Sequence, residues 1–156
     1  MTDQARLVSL IGQPSDSPDV QTWLQELKAP GPKLKEGDTD AYVSLPLLGM
    51  DLVFTDEAFQ TRRPDLAIGE GALLLSAIML KSSEVADYAD YNGPLPGGIV
   101  FGDAPAEVHR KLGPPESVHD RQPKEFWTLS GLQLTVSYDR PKTKVKQVTL
   151  EVPQPK

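Results

Sequence analysis

The sequence predicts an α+β fold of two tandem repeats, each with one or two short helices packed on one face of an antiparallel sheet. Three observations predict it. A strand pattern occurs twice: Gly49-Met50-Asp51-Leu52-Val53-Phe54-Thr55 parallels Gly131-Leu132-Gln133-Leu134-Thr135-Val136-Ser137. Each copy follows an aromatic, β-prone segment (Asp40-Ala41-Tyr42-Val43, then Glu125-Phe126-Trp127-Thr128) and precedes another apolar alternation (Leu73 to Leu80, then Val145 to Val152). Each is also preceded by a helical pattern that ends in Leu and a proline pair, at Leu27 to Pro32 and at Leu112 to Pro115. Helical stripes beside strands that alternate apolar and polar residues describe a sheet with one covered face and one polar face. The expected units are residues 1–82, a linker at 83–98, and residues 99–156. They pack as one compact body, since 156 residues suit a single core.

The elements follow in order. Leu7, Leu10 and Ile11 are spaced i, i+3, i+4, which predicts a short helix ended by Gly12-Gln13-Pro14. Ser15 to Asp19 supplies a cap and a proline for a second helix, whose stripe is Val20, Trp23, Leu24 and Leu27. Pro30 and Pro32 stop it. Gly37-Asp38 turns into a strand from Ala41 to Leu47, and Leu48-Gly49 is a tight connection. Met50, Leu52 and Phe54 then alternate with Asp51, Val53 and Thr55, giving one buried and one exposed face. Thr61 to Asp65 reads as a polar loop and Leu73 to Leu80 as a more buried strand. Asn92 to Gly98 cannot sustain helix or ladder.

Ile99-Val100-Phe101 is a short apolar segment under the sheet. Gly102 to Pro105 opens a third helix, with Asp103 expected as its N-cap and Glu107 near its first turn. Val108 and Leu112 share its apolar face, and Gly113-Pro114 ends it. Phe126 to Leu129 pairs across Ser130-Gly131 with Leu132 to Tyr138. Arg140 to Lys144 turns into a last strand, Val145 to Val152, and Pro153-Gln154-Pro155 prevents its growth. Leu132, Leu134, Val136, Tyr138, Val148, Leu150 and Val152 are expected inside. Gln133, Thr135, Ser137, Asp139, Gln147, Thr149 and Glu151 are expected outside.

Composition narrows the function. Apolar residues make up 38%, enough for a thin core, and 15 prolines with 12 glycines imply short elements and frequent turns. The chain has no cysteine, which removes disulfides, thiolate catalysis and thiolate metal sites and fits a reducing compartment. No signal-peptide pattern is visible and the longest apolar run is far too short to span a bilayer, so a cytoplasmic location without a membrane partner is expected. Net charge is −6, divided as −10 over residues 1–109 and +4 over residues 110–156. Two windows hold acids alone, Glu36 to Glu57 and Glu84 to Glu107. Such faces repel a phosphate backbone, which argues against nucleic acid, and steer a basic protein partner.

The signs of chemistry are few. His109 and His119 lack metal-ligand spacing, and an ordinary surface imidazole is the favoured reading of each. No G-x-S-x-G occurs, and the prolines of Gly93 to Gly98 remove the amide donors that a phosphate loop needs. The expectation is a protein that is not an enzyme and holds neither metal nor cofactor. Asp87-Tyr88-Ala89-Asp90-Tyr91 differs in kind, because tyrosine offers a large contact area with a hydrogen-bonding tip. Either these tyrosines meet a partner or one of them lids the core. Trp23 is assigned to the core by its helical spacing. One of Phe126 and Trp127 should reach the polar face, where it would be a binding anchor.

The run Gly93 to Val108, closing at Leu112-Gly113-Pro114-Pro115, resembles a pattern in small bacterial proteins that include immunity proteins of interbacterial toxin systems, such as those of type VI secretion. It also resembles the helix-then-strands repeat of β-lactamase-inhibitor-like domains and of small outer-membrane-assembly lipoproteins. The similarity covers Phe101 to Val152, and more weakly Leu7 to Leu80. The chain departs from the lipoproteins in lacking a lipobox cysteine and from secreted inhibitors in lacking their cysteines. The resemblance implies binding through the open sheet face and loops, with no cofactor.

The expected function is that of an immunity protein that neutralises a cognate bacterial toxin by occluding its active site. Its partner would be a toxin with a basic active-site surface. The expected contact residues are Asp51, Asp56, Glu57, Asp87, Tyr88, Asp90, Tyr91, Trp127, Gln133 and Asp139. The alternatives are a secretion adaptor or chaperone using the same surface, and a small-ligand-binding domain at the seam between the repeats.

Overall fold

A computed structural model describes residues 4–153. The expected strand-ending role of Gln154-Pro155 lies outside the described residues. Among the described residues four α-helices, α1 (Gln4–Leu10), α2 (Pro18–Glu26), α3 (Glu57–Thr61) and α4 (Pro105–Leu112), accompany seven strands. These are β1 (Asp40–Leu45), β2 (Met50–Asp56), β3 (Leu73–Lys81), β4 (Ser117–Val118), β5 (Lys124–Leu129), β6 (Leu132–Tyr138) and β7 (Val145–Glu151). All strands join one antiparallel sheet in the order β1-β2-β3-β7-β6-β5-β4. The class is α+β, and the sheet is continuous from end to end.

Local sequence explains most boundaries. The Ser17 hydroxyl accepts from Val20 N at 3.2 Å and Pro18 occupies the first helical turn, which starts α2. Its stripe of Val20, Trp23 and Leu24 is buried. Gly49 is left-handed at the β1–β2 connection, and a Cβ there would lie 2.4 Å from Ala89 O and Tyr91 N. Only glycine fits that approach. Ser130 and Gly131 both have positive φ between β5 and β6, the twist a two-residue hairpin needs.

Two three-stranded meanders, β1-β2-β3 and β5-β6-β7, meet through β3 and β7, which pair from Ala77↔Glu151 to Lys81↔Gln147. The first part of β3 pairs elsewhere. Residues 12–15 run beside it, with Gly12 N donating to Leu75 O at 2.7 Å and Ser15 N to Leu73 O at 2.7 Å. One core covers a single face of the sheet. Leu7, Leu10, Trp23, Leu24 and Val108 pack on Leu52, Phe54, Ile78, Leu134, Val136, Tyr138, Val148 and Leu150.

Several expectations are corrected. Residues 57–61 form α3 and Ser117-Val118 form β4, where the sequence reading placed neither a helix nor a strand. β1 stops at Leu45, and Pro46 to Leu48 form a 3-10 turn because proline cannot supply a ladder donor. Asp103 does not cap α4. Ala104 holds that position, and Asp103 instead accepts from Val100 N at 3.0 Å and Lys111 Nζ at 2.7 Å. The uncovered face is not uniformly wet either. Val53, Thr55, Thr135, Ser137 and Thr149 are all buried there, because in the middle of a seven-stranded sheet each side chain is hemmed in by its neighbours.

Candidate functional site

The uncovered face of the first meander forms a trough of about 220 Å³. Its floor is Val53, Ala77 and Met79, and it crosses the seam to Glu151. Two aromatics border it: Tyr42 on β1, 67% exposed, and Phe59 on α3, 52% exposed. A β-bulge opposite Val53 and Phe54 leaves Ser76 without a partner in the register. Its hydroxyl lies 2.7 Å from Thr55 Oγ1 and donates to Val53 O at 3.1 Å, while Thr55 Oγ1 donates to Asp40 Oδ1 at 2.7 Å. Asp40 and Glu151 give the trough acidic groups. Gln133 Nε2 donates to Glu151 at 2.8 Å, yet burial dominates and pushes the Glu151 carboxyl above its usual range.

The expected contact residues divide into two groups. Most are committed inside the molecule. The Asp51 carboxylate accepts from Lys81 Nζ at 2.6 Å and from the Tyr88 hydroxyl at 2.7 Å, and Lys81 Nζ lies 4.2 Å from the Tyr88 ring centroid. This trio ties the 83–91 segment to the end of β2 and β3. Asp56 is fully buried as the N-cap of α3, accepting from Ala58 N, Phe59 N and Gly69 N. Glu57 accepts from Ala72 N at 3.2 Å and pairs with Arg63 at 3.4 Å.

Asp139 organises the turn before β7 through Thr143 N at 2.6 Å, the Thr143 hydroxyl and Lys144 N, which hold its carboxyl below the usual range. Gln133 lies on the uncovered face, bound to Glu151. Trp127 points the other way. It pairs with Leu134 in the register, is 6% exposed, and its Nε1 donates to Gly113 O at 3.2 Å. The aromatic of that strand that reaches the uncovered face is Phe126, not Trp127. Tyr91 is half-buried against the core, and burial raises its phenol pKa. Asp87 and Asp90 are exposed on the 83–91 segment, where Asp90 also accepts from Ser83 N at 2.6 Å. The structure therefore separates Asp87 and Asp90, which face solvent, from the larger set that braces the fold.

Sequence reasoning also missed a polar cluster on the helix-covered side. Glu125 is buried and accepts from the Tyr138 hydroxyl at 2.6 Å and His109 Nε2 at 2.8 Å, with Lys142 Nζ at 3.4 Å. Burial is the largest influence and would raise the Glu125 carboxyl. The two hydrogen bonds and the nearby charges of His109 and Lys142 together outweigh it and hold the group below its usual range. The Tyr138 phenol is pushed upward by burial and by that carboxylate. His109 also lies beside Trp127, with ring centroids 6.2 Å apart. The one available signal was alternation: Trp127 inside requires Glu125 inside as well.

Among the described residues no group of three or more His, Asp or Glu is placed to hold a metal ion, and no helix is long and apolar enough to cross a membrane. No family model, curated protein or solved structure matches the chain.

Proposed function

We propose that this chain is a protein-binding module that neutralises a cognate bacterial toxin, and that the trough on the first meander is its contact surface. One observation carries the reading. Tyr42 and Phe59 are both more than half exposed and border the same trough, which has an apolar floor and the acids Asp40 and Glu151. Exposed aromatics beside a shallow apolar floor have the character of interface anchors, and the acids favour a basic partner. Asp87 and Asp90 extend the acidic surface, on a segment fastened to this face through Tyr88 and Asp51. The toxin's basic active-site surface would sit on this face and lose access to its substrate. Tandem duplication fits the topology: β1, β2 and β3 correspond in order to β5, β6 and β7, with left-handed Gly49 and Gly131 at the matching turns. The divergence between the halves, with α3 and most of the trough's lining in the first, is then where the binding role would reside.

Co-expression with the product of the adjacent gene tests the proposal. The chain should protect cells from that product and co-purify with it, and Tyr42→Ala with Phe59→Ala should abolish both effects. An adjacent product that is toxic yet neither bound nor neutralised would sink the reading. A second reading, a small ligand at the seam, is favoured by the trough crossing from β3 to β7. Saturable binding of a small molecule that is lost in Met79→Trp would support it.

A further inference from the structure

We infer that a second groove, in the other half of the sheet, binds a small oxyanion carrying two or more negative charges. This groove encloses about 460 Å³ and is lined by Gln122, Pro123, Lys124, Ser137, Tyr138, Arg140 and Lys146. It is separate from the Tyr42–Phe59 trough and does not depend on the toxin-binding proposal. Three basic residues line it in a protein whose net charge is −6.

Four acids, Glu84, Glu125, Asp139 and Glu151, have other partners. Glu125 is taken by Tyr138, His109 and Lys142, and Asp139 by Thr143 and the Lys144 amide. Glu84 pairs with Lys144, and Glu151 is held by Gln133. Lys124 feels the charge of Glu151 but makes no ion pair with it, and neither Arg140 nor Lys146 has an ion pair among the described residues. Like charges gathered with few ion pairs repel one another, and a bound anion relieves that repulsion.

The backbone holds these groups in place. The register slips between Ser137 and Tyr138, which leaves Lys146 without a strand partner. Its carbonyl is fixed by Ser82 N at 3.0 Å. Lys124 stands directly opposite Ser137 in the β5–β6 ladder. Arg140 follows Asp139, whose three hydrogen bonds fix the turn. Ser137 and Gln122 add neutral donors. A guanidinium, two ammonium groups and a hydroxyl suit a ligand with several anionic oxygens, since arginine bridges two oxygens while lysines act as point charges. Phosphate esters and small polycarboxylates share that chemistry.

Amide chemical-shift titration of the full chain tests the inference, with pyrophosphate in one arm and citrate in the other, both at constant ionic strength. Saturable shifts centred on Lys124, Ser137, Arg140 and Lys146 are expected, and the tighter arm identifies the anion class. Arg140→Gln and Lys146→Gln should each weaken binding about tenfold, the scale of one charged hydrogen bond. Their thermal midpoints should stay unchanged, since neither side chain holds the fold. The inference is overturned if the shifts spread over all lysines, including Lys33 and Lys35, without saturating. It is equally overturned if both variants bind as tightly as the parent, or if only an acidic peptide binds.

Discussion

The Tyr138 hydroxyl donates to Glu125 Oε1 at 2.6 Å on the helix-covered side of the sheet, so a carboxylate sits within a layer of aliphatic side chains. Its other partners come from α4 and the turn before β7, through His109 and Lys142. One charge thus ties α4 to the sheet. Removing the phenol oxygen should leave Glu125 short of a donor. Tyr138→Phe should therefore lower stability by about 1–3 kcal/mol, read from urea unfolding. An unchanged midpoint would mean that the cluster contributes nothing.

Acid should act on Glu125 and Glu151 in opposite directions. The folded-state pKa of Glu125 lies below the unfolded value of 4.5. Its stabilising contribution is complete above that value and is lost as pH falls through the lower folded one. Glu151 is shifted upward by burial, so its ionised form opposes folding at neutral pH, and that penalty starts to fall as pH drops through its raised folded value and is gone below the unfolded value of 4.5. Glu151→Gln keeps an acceptor for Gln133 and should raise the neutral-pH stability by less than about 1 kcal/mol. The gain should vanish in acid, and a gain that persists there would refute the assignment.

Asp56 accepts three backbone amides with no exposure to water. Asp56→Ala should destabilise by about 2–4 kcal/mol, combining a lost cap with unpaired buried donors. Hydrogen exchange should accelerate first at Ala58, Phe59 and Gly69. Uniform acceleration across the sheet would contradict a local role.

Trp127 and the Tyr42–Phe59 pair should separate folding from binding. Trp127→Ala removes a packed indole and should cost about 3–5 kcal/mol of stability. Tyr42→Ala and Phe59→Ala should each change stability by no more than about 0.5 kcal/mol, yet cost about 2 kcal/mol or more in partner affinity. Calorimetry on the complex, with thermal melts of each variant, distinguishes the two behaviours.

Much of this fold is legible in the residues themselves. Alternation marks β2, β6 and β7, Ser17-Pro18 marks the start of α2, and Gly49 and Gly131 mark the hairpins. What escapes sequence reading is either short or non-local. The five residues of α3 are too few for a periodic stripe, although Asp56-Glu57 is an acidic helix start in plain view. The pairing of Asp51 with Lys81 spans 30 residues of separation, and nothing near Asp51 announces it. The acidic windows read as surface charge, yet Asp51 and Asp56 are internal, because burial depends on what the rest of the sheet places above them. Phe126 and Trp127 are adjacent and equally β-prone, so only the strand's register decides which one faces the helices.

The β3–β7 ladder has a consequence for how the chain is made. Of the seven strands described, β7 is made last, and it lies at the centre of the sheet. Until it arrives, much of β3 is an unpaired edge, and Ile78 and Leu80 lack the partners that Leu150 and Val148 will supply. The nascent first half should therefore be a sticky intermediate whose closure waits for β7. A ribosome-stalled chain ending before Val145 should recruit chaperones, whereas the released chain should not.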